Sequence, residues 1–431
     1  MALNADLPLD REGLQSHQLA CLQKLLAAIV PANPFYTRKL AEAGISAGLA
    51  SLEEYIARAP FTLKQELVED QLQNLPYGTN LTYLLENYTR QWQTSGTSGQ
   101  PMRWLDTAES ISWMLDSWEL VYRSAGVTSE DRVFFAFSFG PFLGFWTAYE
   151  AAGRMGCLCL PGGGMSSSAR IRAIIDSEMT VLCCTPTYAM RLAEVAASDG
   201  VDLAQSKVRR IIVAGEPGGG IPATRARIES LWPGAKIVDH HGMTEVGPVS
   251  YECPEQPGVL HIIESAYFPE VIDQQKGEAI EPGGTGELVL TNLGRTGSPL
   301  LRYRTGDLVK LSAAERCTCG AWDMALEGGI LGRCDDMVVV RGVNVFPSAV
   351  EEVVRSCGGV AEYCVESRTV RSLTELVLQI EPEPQVQDAS ELAGRLEVAL
   401  RDAFGLRITA KVVSPGDLPR FEMKARRWRK I

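Results

Sequence analysis

The chain is short of positive charge. Its 431 residues carry 41 Lys and Arg against 53 Asp and Glu, a formal net charge of −12. Affinity for phosphate backbones comes mainly from dense basic side chains, so no nucleic-acid partner is expected. The one basic cluster, Lys424, Arg426, Arg427, Arg429 and Lys430, reads as a solvated tail. No apolar run reaches the ~18 residues of a spanning helix, and the N-terminus lacks a basic-then-apolar leader. The expectation is a cytoplasmic protein with no membrane partner. No Gly-Lys-Ser/Thr follows a glycine loop at Walker spacing. No G-x-G-x-x-G opens a helix after an early strand, which disfavours a dinucleotide-binding dehydrogenase. Internal repeats and low-complexity linkers are absent as well.

What is present is an ordinary globular composition, 45% hydrophobic and 22% charged, with room for two or three domains. Residues 12–46 have helical apolar spacing, carried by Leu14, Leu22, Leu25 and Ile29. From 109 onward helix and strand patterns alternate. Strands are expected at 133–137, 157–160, 181–184 and 211–214, with helices at 109–126, 143–155, 168–177 and 186–198. That alternation implies crossover units and a mostly parallel sheet covered by helices. After about 250 the texture changes to Gly- and Pro-rich segments with short alternating strands near 270–273, 286–290 and 307–311, as in an antiparallel sheet or small barrel. A second boundary falls near Gly332–Asp336. Beyond it, 337–413 reads strand, helix, two strands, helix, strand. The fold class is therefore α/β: a large N-terminal domain over 1–332 with a small β-rich subdomain, and a small mobile α+β C-terminal domain over 333–431.

Residues Thr94–Pro101 place hydroxyl side chains around two glycines. Glycine permits positive φ and close backbone approach, and successive N–H groups in such a turn form an anion cradle. Ser95, Gly96, Thr97, Ser98 and Gly99 suit a triphosphate. By itself such a run is more often a flexible connector. Four segments follow in order: Gly215-Glu216-Pro217, His241-Gly242-Met243-Thr244-Glu245, Tyr303-Arg304-Thr305-Gly306-Asp307, and Gly332-Arg333-Cys334-Asp335-Asp336. Together with the loop they resemble the phosphate, adenine, Thr-Glu, ribose and hinge motifs of the acyl-adenylate-forming superfamily. The run Asp335–Pro347 and the ending Leu418–Lys424 are similar to its phenylacetate–CoA ligase branch.

The resemblance implies ATP-dependent activation of a carboxylic acid to acyl-AMP, followed by transfer to coenzyme A. It implies that Thr244 meets the α-phosphate, Glu245 holds Mg²⁺, and Asp307 accepts from the ribose hydroxyls. Gly215–Pro217 and Asp239, His240, His241, Gly242 and Met243 would line the nucleotide, with Arg333 at ribose or phosphate and Asp335 as hinge. Lys424 would stabilise charge as pyrophosphate leaves. Gln100 and Met102 stand where the family often has a loop lysine, and Phe421 and Met423 where small residues usually flank the final lysine.

Eleven cysteines in a reducing compartment are expected as thiols or metal ligands. Cys157, Cys159, Cys183 and Cys184 lie in strand-like runs and read as buried small hydrophobes. Cys253, His261, Cys317 and Cys319 offer three thiolates and one imidazole, the composition of a closed structural zinc site; four unrelated loop residues are the alternative. Members of the resembled branch bind zinc at such a set. The aromatic run holding Phe137, Phe139, Gly140 and Phe142 suits a flat apolar acid pocket, and the resemblance favours an aryl or arylacetic acid. A carrier-protein thiol or an amine remains an alternative acceptor, a non-catalytic nucleotide-binding homologue a third reading, and a homodimer stays open.

Overall fold

The computed structural model describes residues 10–46, 48–94, 101–341, 343–370, 373–422 and 424–431. The chain packs as two compact units, Met1–Gly164 with Asp239–Gly329, and Met165–Val238 with Ile330–Ile431.

In the first unit, helix Arg11–Ile29 starts at Asp10, whose carboxylate accepts from Gly13 N and so satisfies one orphan amide of the first turn. Its face of Leu14, Leu22, Leu25, Leu26 and Ile29 is buried. The expected helical region 12–46 holds a second helix at Pro34–Glu42, capped by Asn33. Proline at the first helical position costs no hydrogen bond and marks the new start. Strands Tyr88–Gln93 and Arg103–Thr107 pair antiparallel and flank the expected phosphate loop. Thr107 then caps helix Ala108–Ser124. Strand Arg132–Phe135 pairs parallel with Leu158–Pro161, and helix Leu143–Arg154 lies between them in sequence, giving one crossover unit. The Gly-rich stretch after 250 forms a six-stranded sheet in the order Ser250–Glu252, Val259–Ile262, Ala325–Arg333, Tyr303–Leu311, Thr285–Asn292, Tyr267–Ile272. Pairing between Thr285–Asn292 and Tyr303–Leu311 slips between Glu287 and Val289. Such a bulge kinks its strand and re-aims a side chain; here it lies opposite Thr305–Asp307, with Gly306 at φ 75°.

In the second unit, strands Val181–Cys184 and Arg210–Val213 run parallel. Helices Ser167–Asp176 and Pro186–Ser198 alternate with them as the sequence pattern implies, and a further helix, Pro222–Leu231, follows. The C-terminal part has its own core: Val340, Val350, Val354, Tyr363, Leu378, Leu392, Leu396 and Leu400 are buried together. Helices Pro347–Cys357 and Ala389–Phe404 accompany a four-stranded sheet centred on Val360–Val370 and Leu373–Pro382.

One expectation is overturned. The basic cluster near the C-terminus is not a loose tail: Lys424, Arg426, Arg429 and Lys430 are exposed as expected, but Arg427 is not. Trp428–Lys430 adds a parallel strand beside Val360–Val370. Arg427 is buried, with Nε donating to Glu362 at 2.6 Å and Nη1 3.4 Å from Glu351. Burial would raise the Glu351 carboxyl, but the Arg427 and Arg355 guanidiniums beside it hold it at about 2. A charge run predicts solvation only where no buried carboxylate faces it. Among the described residues, no helix is long and apolar enough to cross a membrane.

Candidate functional site

The first unit gathers Asp239–Glu245 and Asp307. His241 Nε2 lies 3.0 Å from Asp307 Oδ2, joining motifs 66 residues apart. The bulge that turns Asp307 inward is braced by Thr305, whose hydroxyl accepts from Asp307 N at 3.0 Å. Glu245 is buried, and its Oε1 accepts from the Tyr303 hydroxyl at 3.0 Å. Lys64 Nζ stands 3.8 Å from the same oxygen. Sequence reasoning did not single out Lys64. It opens helix Lys64–Gln73, far from every motif, and nothing in its local pattern separates it from a surface lysine.

His240 is buried against Trp118, ring centroids 4.3 Å apart, and its Nδ1 donates to the Ser250 carbonyl at 2.6 Å. Burial pushes its pKa down to about 3; the Ser250 bond opposes the fall and His241 adds to it. His240 is therefore neutral at physiological pH and packs as a flat wall beneath the motif. Ser250 also accepts from His241 N through its hydroxyl at 3.0 Å, and Glu252 accepts from Asp239 N at 3.1 Å. Strand Ser250–Glu252 thus holds the backbone of Asp239–His241.

Ser95, Gly96, Thr97, Ser98 and Gly99 lie outside the described residues. The base of their loop is described. Thr94 N donates to the Met102 carbonyl and Met102 N to the Thr94 hydroxyl, both at 3.0 Å. Beside it, Gln93 N donates to the Pro141 carbonyl at 2.7 Å. The aromatic segment therefore reaches the loop base directly. Phe137 is buried, while Phe139, Gly140 and Phe142 are half-buried. Phe139, at φ 51°, stands edge-on to Trp146 and Tyr149 with centroids at 5.1 and 5.7 Å.

Cys253, His261, Cys317 and Cys319 come together, their ligand atoms all within 4.8 Å of one another. Zinc bonds of ~2.3 Å to sulfur and ~2.0–2.1 Å to nitrogen set tetrahedral edges of about 3.8 Å (S–S) and about 3.6 Å (S–N). Cys253 and Cys317 sulfurs are 3.7 Å apart, and Cys319 Sγ is 3.5 Å from His261 Nε2. His261 Nδ1 lies 3.2 Å from the Asp323 carbonyl, and Tyr251 stacks on the imidazole with centroids at 5.2 Å. That carbonyl orients the ring with Nε2 toward the thiols, the usual outer support of a metal-binding histidine. Burial raises the Cys319 thiol to about 12, with the neighbouring thiols adding to the rise. A divalent cation would reverse that preference. The residues fit a closed four-ligand site.

The second unit holds the remaining predicted residues. Glu216 anchors two segments: its Oε1 accepts from Thr187 N at 2.8 Å and its Oε2 from Ala425 N at 2.7 Å. A Cβ on Gly215, at φ 92°, would stand 3.4 Å from Lys424 Cε. The turn at Gly215 and Lys424, 209 residues apart, are thus neighbours, and it is the positive φ that calls for glycine there. The segment carrying Lys424 is fixed further by Glu381, which accepts from Leu418 N and from Arg420 Nη2 at 2.5 and 2.6 Å. Phe421 lies 5.9 Å from the Arg427 guanidinium, so its bulk is used in packing. Arg333 and the exposed Asp335 bond each other at 2.8 Å.

Comparison with known proteins gives two family matches: AMP-binding enzyme over residues 93–294 and AMP-binding enzyme C-terminal domain over 342–429. The phenylacetate–coenzyme A ligase of Thermus thermophilus is 32% identical over 96% of this chain and 95% of its own. That of Pseudomonas putida is 31% identical over 96% of this chain and 93% of its own. A solved 2-hydroxyisobutyryl-CoA ligase bound to an acyl-AMP superposes with TM-score 0.91 and 26% identity, over 97% of this chain and 89% of that one.

Two outcomes follow from this geometry. Glu216→Gln replaces one acceptor oxygen with an amide N–H₂ facing a backbone donor, so trypsin should cleave after Lys424 several-fold faster than in the wild type; unchanged cleavage would mean Glu216 does not hold the segment. His240 has a native pKa of about 3 against about 6.5 unfolded, so the unfolded state binds the proton more readily between those values. Its contribution to stability is complete above pH 6.5 and is lost as pH falls toward 3. The melting temperature of His240→Gln should fall less steeply than the wild type's between pH 6.5 and 4.

Proposed function

The chain belongs to the AMP-binding enzyme family, in its phenylacetate–coenzyme A ligase branch, and from that premise we propose how its residues carry out the reaction. The enzyme activates a carboxylic acid with ATP and passes the acyl group to coenzyme A. In the first half-reaction a carboxylate oxygen bonds to the α-phosphorus and the bond to pyrophosphate breaks. In the second the CoA thiol attacks the acyl carbon, AMP departs, and the thiol proton goes to solvent.

The observation that carries the assignment of roles is the meeting of Lys424 with Gly215–Glu216. An ammonium beside the turn that receives adenine is suited to stabilise the carboxylate and the departing oxygen. Asp307 accepts from ribose hydroxyls, with His241 at its other face. Thr244 donates to the α-phosphate. Mg²⁺, a hard cation that takes carboxylate and phosphate oxygen, would be held by Glu245 and neutralise triphosphate charge. Ser95–Gly99 supply backbone and hydroxyl donors to the phosphates, and Asp239, His240, Gly242 and Met243 form the wall along the nucleotide. Lys64, 3.8 Å from Glu245, supplies positive charge that the loop lacks.

Residues 333–431 form the small domain and turn about Asp335 between the half-reactions, taking Lys424 away. For that turn, the Ala425–Glu216 bond, the Arg227–Glu383 ion pair and the Ala223–Glu352 bond must open. The Arg427–Thr187 bond, the Arg420–Glu194 ion pair and the Ser348–Leu331 bond cross the same boundary and open with them.

The acid is aryl or arylacetic. The edge-on ring set around Phe139 and the Gln93–Pro141 bond support this, because they set a flat apolar surface against the base of the phosphate loop. Zinc is held by Cys253, His261, Cys317 and Cys319 and serves structure: no ligand position is left for substrate. It ties loop 317–319 to the strands that hold Asp239–His241.

Exchange of labelled pyrophosphate into ATP should depend on added acid, with phenylacetate and benzoate supporting it and CoA then releasing AMP. Exchange with 2-hydroxyisobutyrate alone would overturn the aryl assignment, and AMP release only with a carrier protein would overturn the acceptor. Metal analysis should find about one zinc per chain, and Cys319→Ser should lose it and lower the melting temperature. An unchanged melting temperature in metal-free wild type would refute the structural role.

A further inference from the structure

Arg295 follows the strand Thr285–Asn292 and belongs to none of the five motifs. Its side chain is fully buried, as is that of Asp106, with which it makes a two-pronged ion pair: Nε to Oδ1 at 2.7 Å and Nη2 to Oδ2 at 2.5 Å. The third nitrogen, Nη1, donates to the carbonyls of Thr244 at 2.9 Å and Glu245 at 2.8 Å. Asp106 accepts in addition from Trp92 Nε1 at 2.9 Å, and the guanidinium lies 5.3 Å from the Trp104 ring centroid.

Trp92 and Asp106 stand on the two strands that carry the phosphate loop, Tyr88–Gln93 and Arg103–Thr107. One guanidinium thus bonds that hairpin on one edge and the Thr244–Glu245 backbone on the other. A buried ion pair gains little stability over an apolar pair of the same volume. A planar fork with fixed donor directions does set relative position. We propose that Arg295, locked by Asp106, is a positioning residue that fixes Thr244 and Glu245 at one distance from the phosphate-loop hairpin. This sets the hydroxyl for the α-phosphate and the carboxylate for Mg²⁺ against the loop that takes the outer phosphates, and it rests on the nucleotide roles proposed above. Neither residue touches substrate.

Arg295→Met alone strands a buried carboxylate and unfolds easily, so the test is the double variant D106N/R295M. It leaves no buried charge and keeps an acceptor for the Trp92 indole. It is compared with the wild type and Arg295→Lys in three measurements: melting temperature, calorimetric affinity for MgATP, and acid-dependent pyrophosphate exchange. The double variant should melt within a few degrees of the wild type. Its MgATP affinity should fall about tenfold, its half-saturating Mg²⁺ should rise, and its exchange kcat should drop on the order of 100-fold, the usual penalty of a small misplacement. Arg295→Lys keeps the charge but loses the fork and should resemble the double variant, not the wild type. A folded double variant with wild-type MgATP affinity, Mg²⁺ dependence and exchange kcat overturns the proposal. Wild type that shows no exchange with any acid, while its MgATP affinity still falls in the variants, overturns the reaction and leaves the positioning role standing.

Discussion

A guanidinium sealed from water must find acceptors for its donors, and Arg295 finds them on two distant chain segments at once. The carboxylate of Asp106 takes one edge, and two backbone carbonyls take the other. Those carbonyls belong to the pair expected to meet the α-phosphate and the metal. Removing one member of the ion pair alone would leave the other charge buried and unmatched, which is strongly destabilising. The geometry of the nucleotide motif is therefore set by desolvation. The same logic recurs nearby, where buried Arg302 bonds Glu270 and the carbonyls of Ile56 and Ala59. It ties the strand carrying Tyr303–Asp307 to the N-terminal helices.

In the second unit carboxylates take the organising part. Glu381, Glu216 and Glu362 receive Leu418, Ala425 and Arg427 in turn, so the last fourteen residues are pinned at three points. Lys424 stands between two of these pins. Phe421, near it in sequence, lies 5.9 Å from the Arg427 guanidinium.

The regular elements were legible where period and capping agree. Strand Val181–Cys184 and helix Pro186–Ser198 fall at the expected limits. Cys253, His261, Cys317 and Cys319 were legible because thiols and imidazole in such a set have few other uses. The ordered motifs foretold the pairing of His241 with Asp307 only as a shared ligand, and not as a direct contact. Arg295 and Asp106 were not legible at all: they are 189 residues apart, and a buried ion pair leaves no periodic trace. Lys64 was hidden likewise, and Arg427 was misread because charge density alone cannot show which arginine meets a buried carboxylate.

The register of the hairpin is secured outside its turn, by Trp92 with Asp106 and by Thr94 with Met102. Substitutions within 95–101 therefore act on ligand affinity without disturbing the sheet. Asp106 and Arg295, which none of the five motifs includes, hold the hairpin to the Thr244–Glu245 backbone whatever residues occupy its turn.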